Sequence, residues 1–145
     1  MKSIKQICST TFNTTPEKLW DLLINPEWTE KYMYNCKVIS DFKIGSKIDW
    51  KGNFQGEEQF LTGEILELDW GKQIKYTIID PALKDETKAE NFSHITYEIK
   101  EQNGKQLLTV VNEIFEEDEE HLKQIIQGWE GYIFPTMQKC LEGSV

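Results

Sequence analysis

No run of about 18 apolar residues occurs, so nothing in the chain reads as a membrane-spanning helix. Met1 to Asn13 lacks the apolar centre of a signal peptide. Cysteine is scarce. Cys8, Cys36 and Cys140 are odd in number and far apart, with no C-x-x-C, which excludes a disulfide framework and fits a reduced, cytoplasmic setting. Histidine is scarcer, limited to His94 and His121. A three-histidine zinc site is therefore excluded, and neither residue has a neighbouring Cys or a carboxylate at metal-ligand spacing. His94 is expected to point outward from a strand, and His121 to open the last helix. G-x-S-x-G is absent, and a Ser-His-Asp triad would need one of these two histidines turned inward. There is no G-x-G-x-x-G and no phosphate loop: Gly52 to Gly56 has the wrong spacing and no Lys-Ser/Thr after it. Alternating calcium ligands are missing as well. Positive charge is short too. A formal net charge of −9 argues against nucleic acid and anionic membrane surfaces as partners, since both need clustered Lys and Arg. No cofactor, metal or catalytic residue is expected, and an enzyme is the weaker reading.

What is present is a globular composition. Hydrophobic residues make up 39% of the 145 and aromatics 12%, enough for one sizeable core without staples. Residues 1–145 are expected to form one domain. Ile4 to Phe12 reads as a first strand. Asn13, Thr14 or Thr15 then offers an N-cap, with Pro16 in the first turn and Glu17 at the positive end of the helix dipole. Leu19, Trp20, Leu22, Leu23 and Ile24 make a short buried helix. Asn25-Pro26 breaks it, because the residue before proline avoids the helical region. A second short helix, Glu27 to Met33, follows.

Almost everything from Ile39 to Phe115 reads as antiparallel strands. Cys36 to Ser40 is one. Lys47 to Lys51 alternates, with Ile48 and Trp50 on one face. Gly52 to Gly56 is expected to be a hairpin loop. Glu58 to Leu68 is a long strand of unfixed phase, with a bulge expected at Gly63 or Glu67. Asp69-Trp70-Gly71 turns the chain into Gln73 to Ile79, and Asp80 to Asn91 is a long polar loop. In Ser93 to Ile99, Ile95, Tyr97 and Ile99 oppose His94, Thr96 and Glu98. Asn103-Gly104 marks a hairpin, and Leu107 to Phe115 is the last strand. The acidic run Glu116 to Glu120 reads as a solvated cap for the helix that follows.

That helix, Asp118 to Leu141, carries an apolar stripe through Leu122, Ile125, Ile126, Trp129, Ile133 and Met137. Its interior also holds Gly128, Gly131 and Pro135. Each Gly costs roughly 1 kcal/mol relative to Ala, and an interior Pro about 3. Such residues are tolerated where a helix bends or where something approaches its backbone. The order of elements predicts an α+β fold, a twisted antiparallel sheet of about six or seven strands with the long helix in its concave face.

With those residues placed, the chain resembles the START-like superfamily, whose helix-grip fold is shared with the birch-pollen allergen. Within it, the similarity is to the family named for the C-terminal domain of the activator of the heat-shock-protein-90 ATPase. Thr15-Pro16-Glu17-Lys18-Leu19-Trp20 followed by Asn25-Pro26-Glu27 resembles the family's opening helix and proline break. Tyr32-Met33 stands at its aromatic pair, and Phe42 to Ser46 at its turn before the third strand. Gly63 to Leu68 with Ile74-Lys75-Tyr76 resembles its central strand pair, and Gly128-Trp129 matches the Gly-Trp of its last helix. The resemblance covers essentially the whole chain. It implies a helix-grip fold with a cavity between sheet and helix. Members include binders of hydrophobic ligands, antibiotic self-resistance proteins, cyclase-like enzymes and co-chaperone domains, and fold alone does not choose among them. The 145 residues show no counterpart of the extra N-terminal domain of full co-chaperones, which ranks that reading lower.

The residues expected to line the cavity are Trp50, Tyr76, Ile95, Tyr97, Val110 and Asn112 from the sheet and Trp129, Ile133 and Met137 from the helix. Trp28 and Tyr32 would guard one end. Each aromatic could simply fill the core; as a set they favour a pocket, because buried N–H and O–H groups need partners that a ligand or water can supply. Asn112 is turned inward by the alternation Leu108, Val110, Asn112. Its amide would orient a ligand carbonyl or hydroxyl, or bond to a helix backbone group or water. The reading is a non-catalytic carrier or sequestering protein for a small hydrophobic or aromatic molecule. A co-chaperone-like protein-interaction module and a cyclase or hydrolase are the alternatives, and a homodimer and a chaperone partner stay open.

Overall fold

Strand β1, Ile4–Phe12, is followed by two short helices whose boundaries are set by two capping residues and two prolines. Thr15 Oγ1 accepts from the Lys18 N–H at 3.2 Å and Pro16 occupies the first turn of α1, Pro16–Ile24. Asn25 ends α1 and starts α2, Pro26–Tyr32, its side-chain oxygen accepting from the Glu27 N–H at 3.0 Å. The second helix thus stops one residue short of the expected Met33, which is its C-cap. The computed structural model describes residues 3–115 and 119–143. The acidic run from Glu116 and the helix start at Asp118 therefore fall in part outside the described residues.

Six further strands follow: β2 Cys36–Ser40, β3 Lys47–Phe54, β4 Glu57–Asp69, β5 Gln73–Ile78, β6 Ser93–Gln102 and β7 Lys105–Ile114. They form one antiparallel seven-stranded sheet in the order β1-β7-β6-β5-β4-β3-β2. The expected loop at Gly52 to Gly56 is shorter. Gly52 and Asn53 pair with Gln59 and Glu58, and only Gln55-Gly56, both at positive φ, turns the chain. Gly52 has a different reason to be glycine: a Cβ there would run into the Asn35 backbone.

The phase of β4 also resolves. Leu61 pairs with Trp50, Ile65 with Tyr76 and Leu68 with Ile74, so Leu61, Ile65 and Leu68 share the inner face. Ile65 and Leu68 are three apart, which a period of two forbids. A bulge between Ile65 and Glu67 supplies the extra residue. Gly63, the other bulge candidate, is instead a close-approach position where a Cβ would meet the Thr77 carbonyl.

The C-terminal helix is one rod in three parts: α3 Glu119–Gly128, a π-helical turn Trp129–Ile133, and α4 Phe134–Glu142. In the π turn the Phe134 N–H reaches back five residues to the Trp129 carbonyl. The following residue is Pro135, which has no N–H to give and whose ring would crowd the carbonyl four residues back in a regular α-helix. The wider turn removes that conflict. Leu122, Trp129, Ile133, Met137 and Cys140 are buried against the sheet. The Trp129 ring meets Tyr97 edge-on at 5.8 Å, and Phe134 meets Phe12 at 6.3 Å. A curved sheet holding this helix in its inner face is the helix-grip arrangement.

Candidate functional site

Between the sheet and the α3 end of the helix lies an open cavity of about 640 Å³. That volume sits within the range of small-molecule sites, roughly 300–1,000 Å³. Its sheet wall is built from inward positions of neighbouring strands. Ile95 pairs with Asn112 on one side and with Tyr76 on the other, and Trp50 pairs with Leu61. Strand alternation sends all five side chains to the same face. The rings then form a connected row. Trp50 lies 6.4 Å from Tyr76, Tyr76 is edge-on to Tyr97 at 5.6 Å, and Tyr97 meets Trp129 of the π turn.

Polar atoms inside are few. The Tyr76 and Tyr97 hydroxyls are 2.8 Å apart and share a hydrogen bond. Burial raises both phenols well above the usual tyrosine range, so the pair is neutral at any physiological pH. Burial likewise raises the Cys36 thiol. Two buried donors, the Trp50 indole N–H and the Asn112 amide NH₂, have no hydrogen-bond partner among the described residues. At the rim stand Asp80, Lys84 and Asn91 from the 80–91 segment, and His121 and Gln124 from α3. Asp80 is the single carboxylate among the described lining residues, and among those residues no cluster of His, Cys, Asp and Glu could hold a metal.

Residues 13–142 match the family of Activator of Hsp90 ATPase homolog 1-like proteins. The chain belongs to that family. Its helix-grip fold is that of the START-like superfamily in which the family sits. No curated protein matches the sequence. Among solved structures, the chain is similar to ChR145 from Cytophaga hutchinsonii, with 26% identity, a TM-score of 0.80, and coverage of 97% of this chain and 94% of that one. It is similar in fold to PFC0360w, an HSP90 activator from Plasmodium falciparum, at 15% identity and a TM-score of 0.72, covering 95% and 96% of the two chains. The allergen-type structure Ara h 8.0201 shares the fold at 14% identity and a TM-score of 0.75, over 98% and 99%.

In this Activator of Hsp90 ATPase homolog 1-like chain, seven of the residues expected at a cavity do line it: Trp50, Tyr76, Ile95, Tyr97, Asn112, Trp129 and Ile133. Four lie elsewhere. Tyr32 is fully buried and its hydroxyl donates to the Leu22 carbonyl at 2.8 Å, locking α2 onto α1. Trp28 is half-buried at the edge of the core and does not line the cavity, its indole N–H donating to Asp21 at 3.1 Å and the Lys31 ammonium 4.8 Å over its ring. Met137 and Val110 are fully buried in the core beyond the cavity.

Other lining residues escaped the sequence. Phe54 was hidden by the expected loop at Gly52 to Gly56. Tyr34 and Asn35 take positive φ, which carries the chain out of α2 and swings Tyr34 across the cavity's end. There it stacks on Tyr132 at 5.0 Å, meets Phe54 edge-on at 5.5 Å, and puts its hydroxyl against Gly128. The close approach suggested by Gly128 is therefore made by Tyr34. His121, expected only to open the last helix, lines the mouth, whereas His94 lies on the outer face beside Phe115.

Proposed function

We propose that this protein binds a small hydrophobic, aromatic molecule in the cavity and carries or sequesters it unchanged. The observation that supports this best is the row Trp50, Tyr76, Tyr97 and Trp129 along an open cavity of about 640 Å³. Flat aromatic walls favour flat, apolar guests. Non-catalytic handling fits a lining in which the phenols and the thiol are held neutral and the one carboxylate stands at the rim. Three buried, unpaired cysteines suit a cytoplasmic setting, and one sheet over one core suits a single START-like domain spanning residues 1–145.

A thermal-shift screen of aromatic metabolites, polyketides and lipids tests the reading. A ligand at about a hundred times its Kd should add roughly 2.7 kcal/mol of stability. Ile95→Trp, which projects a larger ring from the sheet wall into the cavity, should weaken the shift. Shifts that Ile95→Trp leaves unchanged for every ligand, or none across the library, contradict the reading.

A co-chaperone role is the second reading. It is favoured by the fold shared with an HSP90 activator and by Ile39 and Phe60, exposed on the outer face of β2 to β4. Stimulation of a chaperone ATPase that is lost in Ile39→Lys and Phe60→Lys, but kept in Ile95→Trp, would select it.

A further inference from the structure

The cavity runs across most of the sheet. Cys36 of β2, Trp50 of β3, Leu61 of β4, Tyr76 of β5, Ile95 of β6 and Asn112 of β7 all line it. At a strand spacing of about 4.8 Å, the five steps from Asn112 to Cys36 span roughly 24 Å along the sheet. A sphere of 640 Å³ would be only about 11 Å across, so the cavity is a trough rather than a round hole. Its polar rim belongs to one part of it: Asp80, Lys84 and Asn91 come from the β5–β6 connection and Gln124 from α3. The β2 end is lined by Met33, Tyr34, Cys36 and Phe54, and is apolar apart from Gln59.

The sheet ends at β2, so this end of the trough has to be closed by other elements. Helix α2 covers the free edge, with Thr29 Oγ1 accepting from the Val38 N–H at 3.0 Å. Tyr34, just past α2, bridges the remaining gap between sheet and helix. Its ring meets Phe54 of β3 edge-on at 5.5 Å and stacks on Tyr132 of the π turn at 5.0 Å. Its hydroxyl reaches the helix at Gly128, 2.9 Å from where a Cβ would sit. The backbone holds it there against its preference. Tyr34 and Asn35 have φ of 50° and 63°, a region that bulky L-residues avoid. Asn35 Nδ2 donates to the Asn53 carbonyl at 3.0 Å, and Gly52, having no Cβ, lets the Asn35 backbone approach. Backbone of this kind persists where its surroundings enforce it, and it clusters at ligand clamps. Core filling does not account for it: Tyr34 is half-buried, and its stacking partner Tyr132 is exposed.

We propose that Tyr34 is the end stop of the trough, and that the ligand is an elongated, ring-bearing molecule whose apolar end lies against it. This rests on the reading that the cavity binds an aromatic ligand, and it adds the length of that ligand. A polar group of the guest keeps its water at the polar rim. The apolar end then points along the ring row toward β2. From Tyr76 on β5 to Cys36 on β2 is three strand steps, roughly 14 Å. Up to that reach, each added methylene leaves water for apolar walls. Beyond it, the guest must displace a tyrosine braced by Phe54, Tyr132 and Gly128, or fold back on itself.

The test uses 6-acyl-2-dimethylaminonaphthalenes with acetyl, propionyl, hexanoyl, nonanoyl and dodecanoyl chains. Each is titrated into the full chain and read by its own polarity-sensitive fluorescence. Affinity should first rise by up to about fourfold per methylene, the value for complete burial. It should then level off or fall at the longer chains. Tyr34→Gly removes the ring and suits the positive φ, so the limit should move to longer chains. Tyr34→Leu should move it less, and Tyr34→Phe, which keeps the ring, should leave it in place. Circular dichroism checks that each variant is folded, and either Tyr34→Gly or Tyr34→Leu decides the matter alone. A limit that stays at the same length, equal weakening of every length, or no limit in the wild type would show that Tyr34 is not the stop, while the aromatic cavity stands. If no probe binds the wild type, the cavity reading fails and this proposal with it.

Discussion

The Tyr76 and Tyr97 hydroxyls meet at 2.8 Å on adjacent strands, buried beneath the C-terminal helix. Removing one leaves the other buried without its partner, which costs about 1–3 kcal/mol. Removing both leaves two apolar rings of nearly the same shape. Tyr76→Phe and Tyr97→Phe should each destabilise by that amount, and the double variant by clearly less than the sum. Urea denaturation of the four proteins measures the coupling. Additive losses would show that the hydroxyls do not depend on one another.

Gly128 ends α3 with the Tyr34 hydroxyl 2.9 Å from where a Cβ would sit. Alanine in a helix gains roughly 1 kcal/mol over glycine. Here the gain is opposed, because Tyr34 is held by its stack on Tyr132 and its contact with Phe54. Gly128→Ala should give no stabilisation alone. In a Tyr34→Phe background it should recover up to about 1 kcal/mol. The same gain in both backgrounds would mean that Tyr34 yields freely.

Two other glycines should respond in opposite directions. A Cβ on Gly131 meets nothing within 4 Å, so Gly131→Ala should stabilise by up to about 1 kcal/mol. A Cβ on Gly52 meets the Asn35 backbone, which cannot move as a side chain can. Gly52→Ala should destabilise by about 2 kcal/mol or more. Thermal denaturation of both variants checks the contrast; a neutral Gly52→Ala would contradict the close approach.

His94 sets a pH dependence. Burial lowers its affinity for a proton and the nearby Lys75 lowers it further, while Glu113 acts the other way. Its folded value therefore lies below the unfolded one, about 6.5. The unfolded chain takes up the proton first, so this contribution is complete above pH ~6.5 and is lost as pH falls through the folded value. Stability of the wild type should fall more steeply than that of His94→Gln on acidification across that window. Parallel curves would show that His94 titrates alike in both states.

The sequence made the architecture legible wherever a period could be read without interruption. Ile95, Tyr97 and Ile99 alternate, and so do Leu108, Val110 and Asn112, so their inner face followed directly. The two proline breaks marked α1 and α2. The phase of β4 was hidden because its bulge shifts the apolar positions by one residue between Ile65 and Leu68. Lines of contact across the fold were hidden for a different reason. Tyr32 carries the same signal whether it lines a cavity or bonds the Leu22 carbonyl, and only the packing of α2 on α1 decides. Tyr34 owes its place to two positive φ angles that its own residue type disfavours. The unpartnered state of Trp50 and Asn112 is likewise a property of their surroundings, invisible in a pattern of residue types.

Indole N–H resonances provide the most direct test of ligand binding in the cavity. Trp50 and Trp129 line it, Trp28 lies on α2 away from it with its indole N–H on Asp21, and Trp70 is 60% exposed at the β4–β5 turn. In a nitrogen-15 labelled sample titrated with 2-acetylnaphthalene, the Trp50 and Trp129 signals should move together and saturably, with those of Trp28 and Trp70 unchanged. Shifts confined to Trp28 and Trp70, or no shift of any indole up to the solubility of the ligand, would contradict a binding cavity between the sheet and the C-terminal helix.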